Sequence, residues 1–165
     1  MSWLVSPRLW DTRGACSTAL LPLSALYACG VRAFEALSSI PRRAPVPVVC
    51  AGTALVGGAS KTPVALAIGE RLSHLQPSLE VHFLTRGYGG SVRGPLCVDP
   101  AHLSSVVGDE ALLLAGARTT WVSADRLAGA IAASAAGASL VVMDDGLQHH
   151  TIGRDLSLLC KEPFD

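Results

Sequence analysis

The apolar run Val48–Ala51 is soon followed by Gly57-Gly58-Ala59-Ser60-Lys61-Thr62, and then by residues with helical spacing. Few folds accommodate this order of strand, glycine-rich turn, Lys-Thr and helix. Glycines let backbone N–H groups approach a bound anion. The start of the following helix adds positive potential, and a lysine and a hydroxyl then face the same point. The fit is incomplete, because a G-x-x-x-x-G-K-T spacing would place glycines where this chain has Leu55 and Ser60. An ordinary strand–helix turn with an exposed Lys61 accounts for the same residues, so spacing alone leaves both readings open.

The residues after this turn keep alternating. Thr62–Leu75 reads as a helix with Ala65, Ile68, Leu72 and Leu75 on one side and Pro63 in the first turn, where proline is tolerated. Val81–Thr85 reads as a strand, Asp109–Ala115 as a helix, Thr119–Val122 as a strand and Ala124–Ala136 as an alanine-rich helix. Ser139–Met143 reads as another buried strand, and Ser157–Cys160 as the start of a further one. Such alternation predicts an α/β fold, a mostly parallel sheet with helices on both faces. Ligands in these sheets bind beyond the carboxyl ends of the strands. The polar clusters at 57–62, 86–90 and 144–150 all follow predicted strands and are expected on one edge.

Bulk properties narrow the function classes. The chain has 165 residues, half of them hydrophobic, with a formal net charge of zero and 5% aromatics. That permits a real core and gives neither the global field nor the stacking residues of a nucleic-acid binder. Five cysteines at 16, 29, 50, 97 and 160 form no Cys-x-x-Cys pair, which fits free thiols and not a zinc site.

Ala15–Val31 is a stretch of 17 residues without charge between Arg13 and Arg32. A spanning helix needs about 20 apolar residues. Three readings stay open: an interfacial or short anchoring helix with Trp3, Trp10 and Tyr27 at headgroup level, a core helix, or a cleaved targeting peptide. The expected organisation is an amino-terminal apolar helical segment (1–40), a linker (41–47) whose Pro41, Pro45 and Pro47 forbid a continuing helix and whose Arg42 and Arg43 suit anionic lipid, and an α/β domain (48–165).

Among the polar residues, Asp144 and Asp145 close an apolar strand, the usual place for a carboxylate on a Mg²⁺ ion; a solvated acidic turn is the plainer alternative. Asp109 and Glu110 form a second acidic pair, suited to taking a proton or holding metal, although Asp109 also fits a helix N-cap. Arg86 and Arg126 are candidate phosphate partners or plain surface charges. His149 and His150, adjacent on an expected strand, would point to opposite faces and not share a metal.

Taken together, the segments resemble the tetraacyldisaccharide 4'-kinase family, the lipid A kinases of Gram-negative bacteria. The resemblance runs from about Leu20 to Leu159. It rests on Leu21-Pro22-Leu23-Ser24-x-Leu26-Tyr27, Val56-Gly57-Gly58-x-x-Lys61-Thr62-Pro63, Thr85-Arg86-Gly87-Tyr88-Gly89-Gly90, Val107-Gly108-Asp109-Glu110, Asp125-Arg126 and Asp144-Asp145-Gly146-Leu147-Gln148-His149.

The resemblance implies a P-loop NTPase-like kinase on the cytoplasmic face of the bacterial inner membrane, with an organellar copy as the alternative, held there by its amino-terminal helix. It implies transfer of the γ-phosphoryl of ATP, with Mg²⁺, to the 4'-hydroxyl of a lipid A disaccharide precursor. Leu55, Val56, Gly57, Gly58, Ala59, Ser60, Lys61 and Thr62 would hold ATP, with Lys61 on the β/γ-phosphates. Thr62, Glu110, Asp144 and Asp145 would serve the metal, Asp109 would be the base, and Arg126 would position charge.

Three departures accompany the resemblance. Thr53 replaces an Asn. Ser60 replaces a glycine, and a Cβ held there in a positive-φ backbone would cost on the order of 1–3 kcal/mol. The family's chains also run about twice as long, with a second αβ domain that supplies a histidine partner to the catalytic Asp; here the pattern ends near Leu159, which would leave a sheet edge exposed. The expectation is therefore the amino-terminal, P-loop half of such a kinase; a partner supplying the missing half goes with the first of its alternatives. The alternatives are a weak nucleotide-binding remnant and a membrane-peripheral interaction protein.

Overall fold

A computed structural model describes residues 18–37, 41–53, 61–147, 149 and 151–160. It divides into two compact units, Met1–Ser38 and Ser39–Asp165.

Within the first unit, α1 (Leu21–Leu37) is a 17-residue helix, six residues longer at its carboxyl end than the charge-free stretch. Ser24 Oγ donates back to the Leu21 carbonyl at 2.9 Å. Leu21, Leu23, Leu26 and Tyr27 are exposed. At about 1.5 Å per residue the helix is roughly 26 Å long, less than the hydrocarbon thickness of a bilayer. Among the described residues no helix is long and apolar enough to cross a membrane.

The second unit is a six-stranded, mostly parallel sheet in the order β3-β4-β2-β5-β1-β6. Its strands are β1 (Val48–Thr53), β2 (Val81–Thr85), β3 (Leu96–Cys97), β4 (Thr120–Val122), β5 (Leu140–Asp144) and β6 (Leu156–Cys160). The helices are α2 (Lys61–Leu75), α3 (Ser104–Val107), α4 (Asp109–Ala115) and α5 (Arg126–Ala135). β3 and α3 were not expected. β3 pairs antiparallel to β4, matching Leu96 with Val122, whereas every other strand pair is parallel.

The period-two alternation of the strands sorts the core to two faces. Val48, Cys50, Leu84, Val141 and Met143 point to the face packed with Leu127, Ala130 and Ala133 of α5. Val49, Ala51, Val81, Phe83 and Val142 point to the face that holds Ala65 of α2 and Leu114 of α4. Glycines set the helix approach: a Cβ at Gly69 would stand 2.5 Å from the Phe83 ring, and one at Gly129 would stand 2.6 Å from Leu84. α5 begins where the Asp125 side chain accepts from the backbone N–H of Leu127 at 2.9 Å and of Ala128 at 3.2 Å, an N-cap that fixes its first turn.

Residues 42–47 run beside 151–155. Arg42 bridges Ile152 in parallel, Ala44 and Val46 pack on the core, and the Asp155 carboxylate accepts from the Val48 N–H at 2.8 Å. β6 lies at the sheet edge and pairs only with β1 among the described residues, aligning Thr53 with Cys160. Leu156, Leu158 and Leu159 of β6 are exposed.

Candidate functional site

β1 and β5 are parallel neighbours with Ala51 opposite Asp144, so whatever follows either strand emerges at one place. α2 begins beside that place. The Thr62 hydroxyl donates to Asp144 Oδ2 at 2.8 Å, and the Lys61 ammonium lies 3.0 Å from Asp145 Oδ1. Asp145 turns the chain with φ +53 while its N–H donates to the Ala51 carbonyl at 3.0 Å. Left-handed backbone is uncommon outside glycine, and Asp is among the residues that tolerate it.

Asp144 is buried, and its second oxygen, Oδ1, has no hydrogen-bond partner among the described residues. Burial pushes its carboxyl up to about 6; the nearby charges of Glu110 and Asp145 push the same way, and the Thr62 bond and Lys61 oppose them. An unpartnered buried carboxylate oxygen is expensive. Beside a hydroxyl and a second acid, it is also a hard-oxygen donor set of the kind that holds Mg²⁺ together with phosphate and water. Among the described residues no cluster of three or more His, Cys, Asp or Glu could cage a metal.

Arg126 is 1% exposed, which overturns the surface-charge alternative. It donates through Nη1 to the Ser123 carbonyl, and its Nε has no partner among the described residues. Burial lowers its pKa to about 10 and Arg86 adds to that, while the charges of Asp145 and Asp144 oppose both. A desolvated guanidinium thus lies within electrostatic reach of the acid pair.

The Arg86–Gly90 turn and the Val106–Gly108 segment interlock backbone to backbone. A Cβ at Gly90 would stand 2.5 Å from the Val106 carbonyl, one at Gly87 would stand 2.7 Å from the Val107 carbonyl, and one at Gly108 would overlap the Tyr88 carbonyl. This contact fixes the start of α4. Gly108, with φ +91, is the cap residue, so Asp109 is the first helical residue and not the N-cap. Asp109 and Glu110 are exposed. Glu110 acts on the charge of Asp144, whereas no hydrogen bond or ion pair among the described residues joins Asp109 to the acid pair.

The structure thus gathers Lys61, Thr62, Glu110, Arg126, Asp144 and Asp145. Leu55, Val56, Gly57, Gly58, Ala59 and Ser60 lie outside the described residues, as do Gln148, His150 and the 161–165 tail. His149 sits in the loop after Gly146 and not on a strand. Sequence reading missed Arg154, which donates through Nη1 to the carbonyls of Leu147 at 2.8 Å and Gly146 at 3.2 Å. Bonds to backbone carbonyls leave no residue-type signature.

The sequence model of the tetraacyldisaccharide-1-P 4'-kinase family matches residues 16–162. A tetraacyldisaccharide 4'-kinase of Jannaschia sp. (strain CCS1) is 48% identical over 157 residues, covering 93% of this chain and 47% of that protein. One from Gluconacetobacter diazotrophicus is 49% identical over 157 residues, with the same coverage of 93% and 47%. Among solved structures, the "apo" form of LpxK from Aquifex aeolicus in complex with ATP is similar with a TM-score of 0.68 and 30% identity, covering 86% of this chain and 48% of that one. The chain spans about half the length of the curated relatives it matches.

Proposed function

This chain belongs to the tetraacyldisaccharide 4'-kinase family, and on that footing we propose that it binds Mg-ATP and serves phosphoryl transfer to the 4'-hydroxyl of a lipid A disaccharide precursor. The observation that carries the reading is the Thr62–Asp144 contact of 2.8 Å beside a buried Asp144 Oδ1 that has no partner among the described residues. Thr62, Asp144 and, through its charge, Glu110 would hold magnesium, with Asp145 next to them. When bound, the ion supplies charge neutralisation on the transferring phosphoryl oxygens.

The other roles belong to the chain's own residues. Residues 55–62 carry the phosphates, and Lys61 leaves Asp145 to reach the β/γ oxygens. Arg126 adds a desolvated positive charge, which is worth more in a water-poor site than in bulk solvent. Asp109, exposed at the start of α4, is free to meet an acceptor hydroxyl and take its proton.

We place the chain on the cytoplasmic face of the inner membrane. Residues 1–40 lie on the bilayer, where the exposed apolar side chains of α1 meet an acylated substrate, and 41–47 lead into the α/β domain of 48–165. A second reading is nucleotide binding without turnover, with a partner completing the site.

The test is γ-phosphate transfer to a tetraacyl disaccharide in detergent, run beside thermal unfolding in Mg-ATP. The reading expects Mg-ATP to raise the wild-type melting temperature and Lys61→Ala to abolish the rise, since a ligand that binds the native state must stabilise it. A wild type indifferent to saturating Mg-ATP refutes it. A Mg-ATP shift without transfer selects the second reading.

A further inference from the structure

Arg154 lies far in sequence from the phosphate turn, yet it grips the segment that carries the acid pair. Its Nη1 donates to the Leu147 and Gly146 carbonyls at 2.8 and 3.2 Å. Its own backbone is well anchored. Gly153 N–H donates to the Arg42 carbonyl at 2.9 Å, and the Asp155 carboxylate and N–H tie to the Val48 N–H and carbonyl at 2.8 and 2.9 Å. The guanidinium therefore extends from a fixed base.

The gripped segment is in turn seated on the tip of β1. The Asp145 N–H donates to the Ala51 carbonyl at 3.0 Å. Leu147 occupies the space beside Gly52, where a Cβ would stand 2.6 Å from its Cγ. Gly146 has the Met143 side chain where a Cβ would be. Residues 145–147 are held by contacts to β1 and by Arg154, and Asp144 is the residue immediately before them. Two carbonyls accepting from one cationic donor are charge-assisted bonds, stronger than neutral ones.

We propose that Arg154 is a positioning residue of the metal–phosphate site, clamping the 145–147 turn on β1 so that Asp144 stays in register with Thr62. This rests on the Mg-nucleotide reading above. Residues that orient a metal ligand from behind typically contribute about 10- to 100-fold to metal affinity.

The test is calorimetric titration of wild type, Arg154→Met and Arg154→Lys with ATP, once with Mg²⁺ and once in EDTA. Amide hydrogen exchange at Asp145 is measured on the metal-free proteins. Arg154→Met is expected to lose about 10-fold or more of the Mg²⁺-dependent gain in affinity, with metal-free ATP binding unchanged and Asp145 exchange accelerated. Arg154→Lys, able to reach one carbonyl, recovers part of both. A purely structural role would lower metal-free and metal-dependent binding alike. If Arg154→Met does not fold, Arg154→Lys carries the same comparison. An unchanged Mg²⁺ gain in the folded variants overturns the clamp alone; a wild type with no Mg-ATP binding overturns the nucleotide reading and the clamp with it.

Discussion

The Thr62 hydroxyl and the Asp144 carboxylate are joined across 2.8 Å, which ties the first turn of α2 to the last residue of β5. Thr62→Val would leave both oxygens of Asp144 without partners among the described residues. The expected loss at pH 7 is about 1–3 kcal/mol, the penalty of an unsatisfied buried acceptor. Thr62→Ser should sit near wild type. Urea unfolding of the two variants checks this, and equal stability would show that the bond contributes nothing.

The raised carboxyl of Asp144 gives a pH signature. Between the ordinary 3.8 and about 6, the folded protein keeps a proton that the unfolded chain has lost. The folded state thus binds more protons there, so this group's contribution to stability is full below the window, declines as pH rises through it and is flat above about 6. Magnesium needs the ionised form, so Mg-ATP affinity should climb toward pH 6 and then level. Asp144→Asn should erase the stability slope; an unchanged slope assigns it elsewhere.

Two glycines with positive φ separate backbone conformation from packing. Gly89 has φ +81 and open space around it, whereas Gly108 has φ +91 and the Tyr88 carbonyl where a Cβ would go. Gly89→Ala should cost about 1–2 kcal/mol, the left-handed penalty alone. Gly108→Ala should cost clearly more and should also weaken Mg-ATP binding by shifting Glu110. Equal losses in thermal unfolding would refute the interlock.

Arg126 is buried, and its Nε has no hydrogen-bond partner among the described residues, so part of its desolvation is not offset by hydrogen bonds there. Arg126→Met should be close to neutral in stability, within about 1 kcal/mol, because removing a buried charge offsets the lost bond to Ser123. Nucleotide affinity should fall at the same time. Denaturant melts paired with calorimetry separate the two effects, and a fold that collapses while binding persists would reverse the assignment.

The parallel layers were legible because their strands are short apolar runs buried on both faces, and the two that matter, β1 and β5, each lead into chemistry-bearing residues. β3 escaped notice because a two-residue antiparallel strand has no period to detect. Helix boundaries shifted by a residue or two, as with α5, where Asp125 is the cap and the helix starts at Arg126. Lys61, Thr62 and Asp144 could be nominated from motif order alone. That Arg126 is buried could not, since an arginine in the first turn of an alanine-rich helix reads as solvated until the sheet tips close around it. Arg154 was invisible for a related reason: its partners are carbonyl groups, which every residue carries.

The alignment of Cys160 with Thr53 turns the sheet edge into an instrument. Cys160 is a free, partly exposed thiol on β6, next to β1, which precedes the proposed phosphate-binding residues, at a strand spacing of about 4.8 Å. With Cys16, Cys29 and Cys97 changed to serine, an environment-sensitive dye on Cys160 would read nucleotide arrival as a fluorescence change, without touching any residue assigned to the chemistry.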